Sequence, residues 1–253
     1  MGRSKAKPEL VRTEDSSGPT RRNRQNFFEL AYEQIEERLV RCELKPGFRL
    51  TMQHLQELTG FGRTPVHNAV NRLAADTLII ISPRHGLQIA PIDLARERVL
   101  LMLRRDIERF VVRLASEQAT MSHRNQMLHV ERALRSRQAD ITLMEFNALD
   151  RRIDSLVLAA AGEPFLEHTL RPLHTIFRRI GFIHHSYMPG KSDLSGTVEH
   201  HLAVLNAVAN RHVEKAVAAS DALMVFMDSM FVGMETGIDP RLLDCSIEPL
   251  FSA

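Results

Sequence analysis

The stretch that decides the fold is Leu50-Thr51-Met52-Gln53-His54-Leu55-Gln56-Glu57-Leu58-Thr59-Gly60, which runs into Phe61-Gly62-Arg63-Thr64-Pro65-Val66-His67-Asn68-Ala69-Val70-Asn71-Arg72-Leu73. A β-rich segment from Leu78 to Ala90 follows, with its turn at Pro83-Arg84-His85-Gly86. The first piece predicts a helix with Leu55 and Leu58 inward, closed by Gly60, the residue type that best takes a left-handed helix stop. In the second, Val66, Val70 and Leu73 recur at i, i+4 and i+7, which predicts another helix. Pro65 suits its first turn, and Thr64 or Gly62 can cap it. Two short helices, a tight glycine turn and a hairpin describe a winged helix-turn-helix.

If Val66, Val70 and Leu73 face the core, Thr64, His67, Asn68 and Asn71 project from the opposite side. Arg63 leaves the helix start, where its side chain can reach a base edge or a phosphate. Helices that read a DNA groove use their N-terminal residues in this way, and Arg can bond a guanine bidentately. The competing reading is a helical hairpin whose polar face is merely solvated.

Leu44-Lys45-Pro46-Gly47-Phe48-Arg49-Leu50, Gly60-Phe61-Gly62-Arg63-Thr64-Pro65-Val66, Arg72-Leu73 and the Arg84-His85-Gly86 wing resemble the GntR family of bacterial transcription regulators. The resemblance keeps the family's order and spacing over about sixty residues. It implies a DNA-binding role, with Arg63 as the DNA-contacting arginine and Gly86 as the wing-tip glycine. Three positions depart from the pattern. His67 stands where a second arginine is usual, Asn68 where glutamate is usual, and Met52 where glutamate is common. These departures leave the half-site outside what the resemblance implies. Candidate DNA contacts are Arg49, Thr51, Gln53, Arg63, Thr64, His67, Asn71, Arg84, His85 and Gly86.

The 253 residues suffice for two modest domains with real cores. The formal net charge of +2 means that nucleic-acid affinity has to come from local patches. Cys42 and Cys245 alone make no disulfide framework and point to a reducing compartment. No apolar run is expected to reach membrane-span length, and the N-terminus lacks a signal-peptide core, so the expectation is a cytoplasmic protein without a membrane partner.

Residues 1–25 are polar and basic (Arg3, Lys5, Lys7, then Arg21-Arg22-Asn23-Arg24) and read as a disordered tail. Such a tail is either simply solvated or an arm that touches phosphates. Residues 26–91 form the winged domain; Asn26 is expected to cap a helix with Phe28, Tyr32, Ile35 and Leu39 inward. From 92 to 235 six helical segments and no strand are expected, with inward stripes such as Leu100, Leu103, Ile107 and Leu114, or Phe146, Leu149, Ile153 and Leu156. The second of these starts at Ser122 and the sixth runs from Val213 towards Gly233. Helices joined by short loops pack as an antiparallel bundle. The fold class is therefore mainly α, a winged helix-turn-helix with a small β-hairpin followed by an all-α bundle. The tail 236–253 carries too little pattern to assign.

The helical region resembles the C-terminal effector domain typical of the FadR subfamily. The residues that carry the likeness are Arg104-Arg105-Asp106-Ile107-Glu108, Leu149-Asp150 through Ala160-Ala161-Gly162-Glu163-Pro164, and His200-His201 through Ala207. This resemblance implies a domain that binds a small metabolite, often a carboxylate, and forms a homodimer. Many members hold a divalent metal with one aspartate and three histidines, the aspartate and first histidine at i and i+4. Here the aspartate is Asp150, the first histidine position is Asp154, the next is His201 and the last is Leu223. With two ligands missing, a zinc or nickel imidazole site cannot be built. What is left is either a metal-free polar pocket or a weak oxygen-rich site for a divalent cation on Asp150, Asp154 and His201.

Arg104 and Arg178 lie near inward apolar neighbours, and a buried guanidinium needs a partner. Arg104 can pair with Glu108 and Arg178 with Asp150. In the functional reading, one or both clamp the carboxylate of an organic-acid or sugar-acid effector. The candidate effector set is Arg104, Asp150, Asp154, Arg178, His201 and Leu223. His184-His185 is expected to meet a helix dipole, and His168 and His174 to be surface or rim residues. There is no HExxH, CxxC, phosphate-binding glycine loop or nucleophile-base pair, which points away from an enzyme. The leading function is a ligand-responsive repressor that binds a palindromic double-stranded operator as a dimer. The alternative is a helical metal-dependent or small-molecule enzyme with a winged protein-interaction module.

Overall fold

A computed structural model describes residues 21–247. The N-terminal arm before Arg21 and the last residues of the C-terminal tail lie outside the described residues. Helix α1 spans Arg21–Val40, so Asn26 is not its cap and residues 21–25 do not belong to a tail. Arg and Gln have high helix propensity, and the helix propagates backward through a stretch that lacks any apolar face of its own. Ala31, Tyr32, Ile35 and Leu39 are its buried positions.

Strand β1 (Arg49–Leu50) leads to α2 (Met52–Thr59) and α3 (Arg63–Ala75). The Thr51 hydroxyl accepts the His54 amide at 3.1 Å, which starts α2; Gly60, at φ 72°, stops it. Gly62 caps α3 without a side-chain bond, so Thr64 lies inside the helix. Val66, Ala69, Val70 and Leu73 of α3 are buried. Strands β2 (Ile79–Ser82) and β3 (Gly86–Ile89) complete an antiparallel sheet in the order β1-β3-β2, with Ser82 opposite Gly86 and Leu50 opposite Leu87. Gly86 has φ 84°, and a Cβ there would stand 3.0 Å from the Leu50 carbonyl oxygen, so the wing needs glycine at this point.

The second unit comprises α4 (Leu94–Gln118), α5 (Met121–Arg137), α6 (Leu143–Ala161), α7 (Pro164–Tyr187), α8 (Ser195–Ala209) and α9 (Val213–Gly237). Helix α4 packs on α6 and α9, and α8 on α9 and α5. Thr120 caps α5 by accepting the His123 amide, which starts the helix before the expected Ser122. Helix α9 continues past Gly233 because Phe231 and Met234 still have a core to enter. Contrary to the sequence expectation, α9 is long and apolar enough to cross a membrane by length and composition. Its buried Met224, Met227, Phe231 and Met234 show that much of this apolar character serves the bundle core.

Several contacts tie the two units, among them the ion pairs of Arg151 and Arg171 with Glu36. Thr175 of α7 donates to the buried Glu36 of α1 at 2.5 Å. After α9 a short helix α10 (Pro240–Leu243) carries the chain back to the winged domain. There the Ile92 amide donates to the Leu243 carbonyl and the Cys245 amide to the Pro46 carbonyl, both at 2.8 Å. The part of this segment from 240 to 245, which has no periodic signature, thus holds a defined place.

Candidate functional site

The first candidate surface is the outer face of α3 with the wing. Arg63, Thr64, His67, Asn68 and Asn71 are all exposed, opposite the buried Val66, Val70 and Leu73. Asn71 Nδ2 and His67 Nδ1 approach to 3.3 Å, so these two side chains form one polar unit a turn apart. Arg84 and His85 are exposed at the wing turn, and Arg84 takes φ 67°. Arg49 is exposed on β1, opposite Gln88. Thr51 spends its hydroxyl on the α2 cap, while Gln53 donates to Glu57 at 2.9 Å. The back of α3 is fixed: Tyr32 donates to Asp76 at 3.0 Å, and the Arg72 guanidinium lies 5.5 Å from the Tyr32 ring centre. A helix held from behind and polar in front presents its side chains in fixed positions, as groove reading requires.

The second candidate is a buried chain of charges inside the helical unit. It begins at Arg104 on α4, whose Nε donates to Glu108 Oε1 at 3.2 Å. His174 Nε2 meets the same Glu108 oxygen at 2.7 Å, and His174 Nδ1 meets Asp154 Oδ2 at 3.1 Å. Arg178 then bridges two acids: its NH2 donates to Asp154 at 2.8 Å and its Nε to Asp150 at 2.8 Å. Asp150 Oδ1 in turn faces His201 Nε2 at 2.9 Å, and His201 Nδ1 lies 2.7 Å from the Thr197 carbonyl. Both His201 nitrogens face oxygens that can only accept, so the ring donates from both sides.

The electrostatics follow from this wiring. Burial pushes the Glu108 carboxyl up, but His174 and then Arg104 overcome it and hold it at about 2. Burial likewise acts against Asp150, and the hydrogen bond and charge of His201, with Arg178, hold it well below the usual carboxylate range. Burial alone lowers the His201 imidazole, yet the hydrogen bond and charge of Asp150 raise it above its ordinary value.

The six expected effector-site residues come together. Arg104, Asp150, Arg178, His201 and Leu223 line one cavity of about 50 Å³, and Asp154 stands behind Arg178. The structural pairs Arg104–Glu108 and Arg178–Asp150 both form. The expectation for His174 is overturned: it is only 3% exposed, because it sits four residues before Arg178 on the face of α7 that enters the bundle. His184 and His185 are also buried, and His185 is held by the Lys191 carbonyl and Thr197 rather than by a helix dipole alone. Phe146, Phe177 and Met227, which wall the same cavity, read from the sequence only as inward apolar positions, and Asn147 was passed over. Asn147 lies three residues before Asp150, so helical spacing would have found it.

The donor set does not fit a divalent metal. Asp150 and Asp154 are already bridged by the Arg178 guanidinium, His201 has both nitrogens engaged, and the fourth position is the hydrocarbon of Leu223. Among the described residues no cluster of three or more His, Cys, Asp or Glu side chains is arranged to hold a metal ion.

With the geometry set, comparison with known proteins identifies the class. Residues 29–89 match the bacterial regulatory proteins of the gntR family, and residues 99–226 match the FCD domain. The chain belongs to the GntR family: it is a DNA-binding transcriptional regulator that joins a winged helix-turn-helix to an FCD effector-binding domain. It is 26% identical over 193 residues to the HTH-type transcriptional repressor RspR of Escherichia coli K12, spanning 74% of this chain and 82% of the relative. Among solved structures, E. coli McbR/YncC superposes with a TM-score of 0.71 at 18% identity, covering 83% of this chain and 99% of that one. A GntR regulator from Rhodococcus sp. RHA1 gives 0.62 at 14% identity, covering 83% and 98%. These two likenesses concern the fold alone.

Proposed function

We propose that this regulator is a cytoplasmic repressor that binds a palindromic operator as a homodimer and is released by a small carboxylate held in the helical domain. The observation that carries the reading is the exposed row Arg63, Thr64, His67 and Asn71 on a helix whose other face is wholly buried. Arg63 reaches a base edge from the helix start, His67 and Asn71 read further along the groove, and Arg84, His85 and Gly86 lie beside the adjoining backbone. The similarity to RspR, a repressor by name, supports the sign of regulation.

The homodimer has a matching surface on α4 and α9. Val99, Met102, Leu103 and Phe110 of α4 and Val225 and Val232 of α9 are exposed, and part of this face borders a groove of about 600 Å³. Arg98 and Arg105 rim that groove together with Asp228 and Glu235, so the patch carries both signs of charge and suits a two-fold contact with its own copy. In the effector pocket Arg104 supplies the fork for the carboxylate, and no metal bridge is involved.

Selection from a randomised duplex pool tests the reading. An inverted repeat, bound with a steep salt dependence by a dimer, is the expected product. Binding without sequence preference, or a monomer at micromolar concentration by sedimentation, refutes it.

A further inference from the structure

The buried cavity has a size and a wall chemistry that narrow its ligand further than an organic acid in general. We infer that it takes a straight-chain monocarboxylate of acetate to butyrate size without a metal, with Arg178 as the site's own fixed cation and Arg104 and Asn147 as its free donors. This rests on the reading that the helical domain holds an acidic effector.

Arg178 is occupied. It is 9% exposed, and its Nε and NH2 are each spent on a carboxylate, Asp150 on one side and Asp154 on the other. Withdrawing it would strand two buried acids, so it stays where a metal would otherwise be needed to neutralise them. The i+4 aspartate, which is the chain's departure from a histidine, is thus the partner that makes a guanidinium fit.

Arg104 is not fully occupied. Its Nε is taken by Glu108, and its NH1 has only the Met227 sulfur at 3.7 Å, a weak acceptor. The Phe177 ring centre lies 5.3 Å from its guanidinium carbon, and Arg104 forms part of the cavity wall. Asn147 Nδ2, in the same wall, is buried without a hydrogen-bond partner, a cost that an incoming carboxylate oxygen would remove. A guanidinium and an amide in one wall offer N–H donors for the two oxygens of one carboxylate.

Much of the rest of the cavity favours a small ligand with an apolar end. Phe146, Leu223, Phe226, Met227 and Met230 surround the donors with hydrocarbon, which suits a short alkyl tail. The free volume of about 50 Å³ holds roughly four water-sized spheres, which suits a short acid better than a six-carbon sugar acid.

Calorimetric titration of the full chain tests this, using acetate, propionate, butyrate and galacturonate, each before and after treatment with EDTA. The expected result is binding of at least one short acid at one per chain, unchanged by EDTA, with galacturonate at least tenfold weaker. Arg104→Gln should weaken the short acid tenfold or more. Should that variant fail to fold, Leu223→Phe fills the cavity from α9 with the charges intact and should likewise abolish binding. Preference for galacturonate, binding that EDTA removes and zinc or nickel restores, or no short acid bound at all overturns the inference. Operator binding is followed in parallel. If galacturonate binds and releases the operator, the acid-effector reading stands while the size and monocarboxylate assignment falls. If no acid binds yet the operator is recognised, the effector half of the reading falls as well.

Discussion

Helices α3 and α7 both carry rows of arginine and histidine, and the two rows have opposite fates. On α3, Arg63 and His67 stand in solvent, because only the face bearing Val66, Val70 and Leu73 has a neighbour to pack against. On α7, His174 and Arg178 are buried, because α1 covers one side of the helix and α4, α6 and α9 lie on others. The difference teaches that a charged row becomes a recognition surface where its helix is covered on one side only. Where it is covered on several, the same residue types have to satisfy one another. Arg63 can wait for a phosphate or a base; Arg178 cannot be left without Asp150 and Asp154.

The contrast is broken most severely at Arg178. Arg178→Ala leaves Asp154 without its guanidinium and buried Asp150 with His201 alone, and we expect it to destabilise the fold by about 3–5 kcal/mol, measured by urea unfolding. Wild-type stability in this variant would show that the chain of charges is not mutually dependent. Arg63→Ala should do the converse. Stability stays within about 0.5 kcal/mol of wild type, as for an ordinary surface change. Operator affinity falls by about 1–3 kcal/mol with relaxed preference at one base position, read by footprinting and selection.

A smaller effect follows from pH. The raised His201 contributes stability that is complete below its unfolded value near 6.5 and is lost as pH climbs through the folded value. Asp150, held low, contributes stability above the ordinary carboxylate range that is lost only in strong acid. Thermal stability should therefore decline above about pH 6.5, and His201→Gln should flatten that decline. An unchanged slope in the variant would assign the decline to other groups. The gentlest change is His67→Arg, which should alter the selected half-site with little effect on stability; identical selected sequences would remove His67 from the specificity positions.

Much was legible in the sequence because it is local. The 3–4 spacing of Val66, Val70 and Leu73, the stop at Gly60 and the turn at Gly86 depend on backbone geometry within a few residues, and they placed α2, α3 and the wing. The same spacing marked the six helices of the second unit and brought Asp150 and Asp154 onto one face of α6. The pairs Arg104–Glu108 and Arg178–Asp150 were foreseeable because buried guanidinium groups need partners. What only the tertiary structure decided is how many neighbours each helix has. His174 reads as a rim residue until α4 and α6 bring Glu108 and Asp154 to its two nitrogens. Arg178 becomes a bridge only when α6 offers both of its acids at once. The return of residues after 236 to Pro46 and Ile92 rests on two backbone hydrogen bonds between segments far apart in the chain. No side-chain pattern encodes such bonds, because every residue other than proline carries the same amide donor and carbonyl acceptor.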